Sequence, residues 1–347
     1  MKLKQSILIL GLLFLSLNTL RAQNVYVMNK GADSISVINI DTNMITDTIT
    51  LGVALSLDSL AINPNGESIY VSDAWGTIYI INTTTNTLTD IIDDVYDLSL
   101  TPSQIVFTPN GEFAYMSHNK SVIVIDTKKR KVTDIIKICL PNVKPWGMSI
   151  NDIIIKPDGK FVYIAVEYFM GRFNEDLNYV GDDIYAVQVI DTATNTLTDA
   201  KIDGKNTAFT VNPTGEFVYL VDSTKPIIRV VNTDTNRESD AIEIGYGVVD
   251  IVISPDSKFV YAMHFSYDKI IVINAITNEV TDTIELKSKT LPSPLVSGMT
   301  INPNGKYLYV IVDSPNLLKV IDTATNEVVD TIALSRYWPC YIVVAPQ

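Results

Sequence analysis

The chain is predicted to be an all-β, seven-bladed β-propeller of four-stranded antiparallel blades, because three markers each recur seven or nearly seven times along it. A tyrosine inside a short apolar run falls at Tyr26, Tyr70, Tyr115, Tyr163, Tyr219, Tyr261 and Tyr309. An Asn or Asp closes a second apolar run at Asn39, Asn82, Asp126, Asp191, Asn232, Asn274 and Asp322, and eight residues after each stands an aspartate, Asp47, Asp90, Asp134, Asp199, Asp240, Asp282 and Asp330. A proline turn such as NPNG recurs at Pro64, Pro109, Pro157, Pro213, Pro255 and Pro303, with Pro346 where the chain runs out. Tyrosine spacings of 42 to 56 residues are the period of one propeller blade, not of a helical solenoid.

Each unit reads as four strands. Strand A is "LAIN", "IVIS" or "MTIN"; a Pro-Asn/Asp-Gly turn leads to strand B around the tyrosine; strand C ends in "VIDT"; strand D surrounds "TDTI". These runs are rich in Val, Ile and Tyr, and helical periodicity is missing after the leader. The Asn of "DTATN" suits a left-handed turn position, so the C–D connection is expected to be a tight hairpin; one unit puts Arg130 there instead. If strand D is the outer edge of the blade, its aspartate discourages edge-to-edge pairing with another molecule. The tyrosines are expected to pack between blades rather than to form a binding ladder.

The ends complement each other. Residues from Asn24 begin with a strand B, "NVYVMN", and the last residues form a strand A, "YIVVAP", so together they are expected to complete one blade and close the ring. Before them, Lys2 and Lys4 precede an apolar run from Ile7 to Leu17, with the small Ala22 after it, which reads as a signal peptide over residues 1–22 and one propeller domain over 23–347. An exported protein follows, periplasmic, cell-surface or secreted, with no membrane insertion, since no second long apolar stretch appears. Loss of Lys2, Lys4 and Arg21 takes the formal charge from −13 to −16, which disfavours nucleic acid and anionic lipid. The one basic run, Lys128 to Lys131, reads as a solvated hairpin. Cys139 and Cys340 both fall in expected D–A connectors of distant blades and are expected to be free thiols. A ring of about 320 residues buries enough surface to stand as a monomer.

A four-stranded meander puts A–B and C–D turns on one face and B–C loops with D–A connectors on the other. The first face is monotonous and the second varied, and varied loops on a rigid scaffold are where binding resides. From Tyr163 to Asp191 the unit is longer than the others by about fifteen residues, "EYFMGRFNEDLNYVGDD" over 167–183. Glu167, Tyr168, Arg172 and Phe173 give it the aromatic and charged composition of a recognition loop; the alternative is a longer B–C hairpin that merely covers its neighbours. Trp75, Trp146 and the Arg336-Tyr337-Trp338 run map to the same face, as a sugar or peptide platform would. His118 and His264 share one repeat position three blades apart, on the order of 15 Å from each other, too far for one metal ion. Each follows, one blade earlier, an aspartate at that position, Asp73 or Asp222, a pairing that either orients a catalytic histidine or makes an ordinary hydrogen bond. Asp152 and Asp250 start strand A near the channel mouth, where carboxylates can collect calcium or another divalent ion, although no D-x-D-x-D-G loop is present. G-x-S-x-G, H-E-x-x-H, P-loop and dinucleotide signatures are missing, so no catalytic residue and no required cofactor is assigned.

The stretch "INPNGKYLYVIVDSPNLLKVIDTATNEVVDTI", residues 301–332, resembles the YVTN family of β-propeller repeats, and the resemblance extends over residues 24–347. It implies a secreted, periplasmic or cell-surface protein with strand A lining the channel, and says more about location and shape than about chemistry. Tyr26-Val27-Met28-Asn29 is the nearest match to the signature tetrapeptide. The preferred function is a non-enzymatic binding module for a protein, peptide or glycan. The alternatives are a lactonase-like hydrolase or lyase with a divalent ion at the channel mouth, and a surface-layer or spacer protein.

Overall fold

A computed structural model describes residues 24–346 apart from 53–55, 94–103, 141–144, 146, 174–178, 181, 265–268, 287–295, 313–315 and 335–337. The expected signal peptide over residues 1–22 therefore lies outside the described residues. Those described form seven four-stranded antiparallel sheets and one two-stranded ribbon. We number the blades 1 to 7 along the chain. Blade 2 shows the plan: strand A is Leu57–Ile62, B Ser68–Asp73, C Ile78–Asn82 and D Thr87–Ile92.

Blade 1 joins the chain ends. Its strands B, C and D are Asn24–Asn29, Ser34–Asn39 and Met44–Thr50, and its strand A is Pro339–Val344, paired antiparallel with Val25 opposite Val344 and Met28 opposite Tyr341. The predicted closure is present. Cys340 lies within this strand rather than in a connector, and neither cysteine forms a disulfide.

Burial explains the strand composition. In strand B of blade 5, Phe217–Asp222, residues on both faces are buried because a neighbouring blade covers each side, which selects the continuous run FVYLV. In its strand D, Arg237–Glu243, only Ile242 is buried, so the outer strand is mostly polar. The cores lie between blades: Tyr219, Val221, Ile228 and Val230 of blade 5 pack against Ile251, Ile253, Val260 and Ala262 of blade 6. All seven repeat tyrosines are at most 2% exposed.

The repeated aspartates have a role beyond guarding an edge. In each of five junctions the strand D aspartate accepts a hydrogen bond from the C–D hairpin of the next blade: Asn86 to Asp47 (2.8 Å), Arg130 to Asp90 (3.1 Å), Asn278 to Asp240 (2.8 Å), Asn326 to Asp282 (2.7 Å) and Asn43 to Asp330 (2.9 Å). The donor residue sits in every case at positive φ, between 53° and 57°. At the other two junctions the strand B tyrosine reaches the same hairpin position, Tyr115 O–H to Asn195 Oδ1 (2.9 Å) and Tyr163 O–H to Asn236 Oδ1 (3.1 Å). The side chain of Asp199 lies outside the described residues. Tyrosine, aspartate and asparagine thus recur together because they fasten each blade to the next.

The long unit departs from the plan in all three inner strands. Strand A of blade 4 runs from Gly147 to Ile155, strand B from Phe161 to Phe169 and strand C from Ile184 to Asp191. Gly147 pairs with Phe169, and a Cβ at Gly147 would lie 2.9 Å from the Phe169 ring. Beyond this extended sheet, Arg172–Phe173 pairs with Tyr179–Val180 as a short ribbon. Glu167, Tyr168 and Phe169 of the insertion lengthen strand B, and four more of its residues form the ribbon.

Candidate functional site

Strand A is innermost, and the channel it lines has two chemically distinct ends. Toward the A–B turns a cavity of about 460 Å³ is walled by apolar residues including Ile62, Val106, Phe107, Ile155, Val211 and Val344. Toward the D–A connectors the register of strand A shifts in six blades, and one residue after each shift, with its counterpart in blade 3, forms a girdle: Tyr341, Ser59, Gln104, Asp152, Ala208, Asp250 and Gly298. A register shift frees an N–H on the channel side, and three girdle side chains answer that donor across the blade boundary. Gln104 Oε1 accepts the Ile153 N–H (3.0 Å), Asp152 Oδ2 the Phe209 N–H (2.9 Å) and Asp250 Oδ2 the Met299 N–H (2.9 Å). The other oxygens accept the N–H of the following residue, Ile153 at 2.9 Å and Ile251 at 2.7 Å.

Asp152 and Asp250 therefore sit within strand A, three residues before its end, rather than at its start. Their environment is unusual for carboxylates. Burial pushes Asp152 up to about 7 against the pull of the Phe209 and Ile153 N–H groups, with the Asp250 charge adding to the rise. Burial pushes Asp250 up to about 6. The Tyr341 hydroxyl shares the channel and is pushed far above its ordinary value by burial first, then by Asp58, Cys340, Asp152 and Asp250. Each of the four oxygens of these two carboxylates already accepts one backbone N–H. Among the described residues no three His, Cys, Asp or Glu side chains gather for a metal.

The histidine pattern resolves into turn chemistry. Asp73 Oδ1 accepts the N–H groups of Trp75 and Thr77 and its Oδ2 the Tyr79 hydroxyl. Asp222 Oδ1 accepts from Thr224 and Lys225. Both carboxylates cap their own B–C turns. His118 and His264 are buried at 4% and 2% exposure. Burial holds His264 below its ordinary value, opposed by a hydrogen bond to the Tyr246 backbone and reinforced by the Lys269 charge.

On the face of B–C and D–A loops the residues read as a binding platform divide. Trp75 is 46% exposed in the B–C turn of blade 2, and Trp338 is 73% exposed in the connector before strand A of blade 1, at φ +43°. Trp146 and Arg336 lie outside the described residues, as do the side chains of Arg172 and Phe173, whose backbone belongs to the ribbon. Tyr168 is a correction: it is 1% exposed, packs in the core between blades 3 and 4 and donates its O–H to Gln188 Oε1 at 2.7 Å. The longer strand B carries it inward, because alternate residues of a strand face opposite blades. Glu167 is half-buried opposite Tyr185, and the Lys205 ammonium lies 4.6 Å from the Tyr185 ring centroid. Tyr246, 64% exposed in the connector between blades 5 and 6, belongs to this face and was not singled out from sequence; its "GYG" context was the available signal.

The family model described as "Lactonase, 7-bladed beta-propeller" matches residues 59–239, from strand A of blade 2 into strand D of blade 5. The chain belongs to this family of seven-bladed propellers. A curated relative, "Seven-bladed beta-propeller protein Rv1057" of Mycobacterium tuberculosis, is 29% identical over 119 residues, 32% of this chain and 29% of that protein. The match thus spans less than a third of the relative's length. Among solved structures, a functionally unknown protein from Desulfotomaculum acetoxidans superposes with TM-score 0.70 at 20% identity, covering 93% of this chain and 99% of that one. Hydrazine synthase of Kuenenia stuttgartiensis gives 0.61 at 19% identity over 88% and 90%. The dihydro-heme d1 dehydrogenase NirN gives 0.62 at 13% over 93% and 75%. At these identities the likeness is one of fold.

Proposed function

We propose that this propeller is an exported, non-enzymatic binding module that holds a protein, peptide or glycan on the face of its B–C and D–A loops. The observation that supports this reading is how the polar repeat is used. The strand D aspartates and hairpin asparagines fasten blades at their rims, and the channel carboxylates fasten strand A to strand A. Large exposed aromatics, Trp75, Trp338 and Tyr246, stand instead on the varied face. Aromatics with a polar edge contribute most per residue at such surfaces. Replacing all three by alanine should abolish partner capture and leave thermal unfolding unchanged. A partner held equally well by the triple variant would overturn the reading.

A second reading, hydrolysis of a lactone at the channel mouth, is favoured by the family and by Asp152, whose carboxyl is pushed up to about 7. A carboxylate poised near neutrality takes a proton from water as that water attacks the lactone carbonyl; the ring C–O bond then breaks and its oxygen takes the proton back. Asp152→Ala would abolish turnover of a lactone under this reading, with Asp250→Ala reducing it. That water would have to reach an oxygen that already accepts one backbone N–H.

A further inference from the structure

Asp73 of blade 2 and Asp222 of blade 5 hold the same place, three residues after the strand B tyrosine, and differ in what reaches them. Asp73 uses both oxygens, with Oδ2 accepting the Tyr79 O–H at 3.1 Å. Asp222 directs Oδ1 alone at its turn, accepting the Thr224 N–H (2.9 Å), the Thr224 O–H (2.6 Å) and the Lys225 N–H (3.2 Å). Its Oδ2 accepts no hydrogen bond from the described residues. The cause lies in strand C. Tyr79 pairs with Val71 and Arg229 with the equivalent Leu220, so Arg229 takes the place of the tyrosine. Arg229 turns its guanidinium away, to Glu238 Oε2 (2.6 Å) and the Asp203 carbonyl (2.6 Å).

Asp222 is 6% exposed and lines a cavity of about 210 Å³ between strand B of blade 5 and the connector to blade 6. Val221, Ile244, Val248 and Val249 supply apolar wall, and Tyr246 stands at 64% exposure beside it. A carboxylate oxygen at the wall of a largely apolar cavity that accepts no hydrogen bond from the described residues gains a charge-assisted bond when a donor enters. The volume is below the roughly 300–1,000 Å³ of a drug-sized site and suits one functional group with a short stem.

We propose that this cavity binds a primary ammonium on an aliphatic stem, Asp222 Oδ2 accepting its hydrogen bond, the apolar wall covering the methylenes and the Tyr246 ring facing the cation. Methylene stems lie against apolar walls while their charged ends seek a counter-ion, and an aromatic face attracts the same charge. The net charge of −13 draws cations to this surface. A free polyamine and the lysine side chain of a peptide share this chemistry. The proposal rests on the loop face being the functional one and names what one part of it takes.

The test is a titration of the intact mature protein with spermidine, with N-acetyl-lysine methylamide, with 1-butylamine and with the uncharged 1-butanol, followed by the amide signals of Gly245 and Gly247. Amines should shift these signals, and butanol should bind at least about tenfold more weakly, the loss of one charge-assisted hydrogen bond. Asp222→Asn keeps an oxygen for the turn and should weaken the amines about tenfold or more, Tyr246→Ala about two- to fivefold, and Asp73→Asn not at all. Tighter binding of spermidine assigns the free amine, and tighter binding of the lysine derivative the peptide. No amine binding, equal binding to Asp222→Asn, or butanol binding as well as butylamine would overturn the proposal. Partner capture with Trp75→Ala/Trp338→Ala is measured in parallel: capture lost there while amines fail to bind removes the cavity proposal alone and leaves the loop face standing.

Discussion

The side-chain amide of Asn43, in the C–D hairpin of blade 1, donates to the Asp330 carboxylate on strand D of blade 7 at 2.9 Å, across 287 residues of chain. The equivalent hairpin residue makes this contact at four other junctions, three times as asparagine and once as Arg130, so the ring is closed at its rim by the device that holds it together elsewhere. Asn43→Gly removes the amide without straining a residue at φ +53° and should cost about 1 kcal/mol in urea unfolding. A double-mutant cycle with Asp330→Ala should return a coupling of similar size; zero coupling would remove the contact from the account of closure.

Arg130 keeps the clasp with a different donor, its Nη1 3.1 Å from Asp90 Oδ2, at φ +54°. Asparagine enters the left-handed region at lower cost than arginine. Arg130→Asn should therefore match or exceed the parent stability, by up to about 1 kcal/mol, and make it less sensitive to salt. Unfolding curves at low and high salt measure both.

Strand A of blade 1 carries Ile342, which joins Val25, Val27 and Ile38 to Tyr309 and Leu318 in one cluster. Removal of residues 341–347 should destabilise the protein by roughly 4 kcal/mol or more, from lost apolar burial and lost ladder bonds. An unchanged melting temperature would contradict closure by the chain ends.

The pH dependence has two arms. Burial raises Asp152 to about 7 and Asp250 to about 6, so the folded state holds protons that the unfolded state has released. Their contribution is fully present below about pH 4 and is lost as pH rises through 6 to 7. Asp90, Asp240 and Asp282 are held below the usual carboxylate range, chiefly by hydrogen bonds from Arg130, Asn278 and Asn326. Their contribution is present above about pH 4 and is lost as pH falls further. Stability should peak near pH 4, and the decline from about pH 4 to 7 should flatten in Asp152→Ala/Asp250→Ala. Melting curves across pH 3 to 8 decide this.

The ring was legible because repetition multiplies weak local signals. Seven tyrosines, seven aspartates and a left-handed asparagine marked strands B and D and the hairpin between C and D, and the ends "NVYVMN" and "YIVVAP" marked the closing blade. What joins one blade to the next was not legible, since Asn43 and Asp330 are neighbours only after closure. The girdle was hidden for a related reason: Gln104, Asp152 and Tyr341 share a place that depends on register shifts, and no local pattern announces a shift. Tyr168 was misplaced because its composition reads as loop, whereas pairing with Met148 and Ile184 carries strand B through it.

The most direct measurement is partner capture from a cell-envelope extract by three versions of the mature protein: the parent, Trp75→Ala/Trp338→Ala/Tyr246→Ala, and Ile276→Ser. Ile276 is 76% exposed in a C–D hairpin on the opposite face and serves as the control. Capture by the parent and the Ile276→Ser variant, lost from the triple variant, is the predicted result. Capture retained by the triple variant, or lost with Ile276→Ser, would contradict a binding function on the loop face.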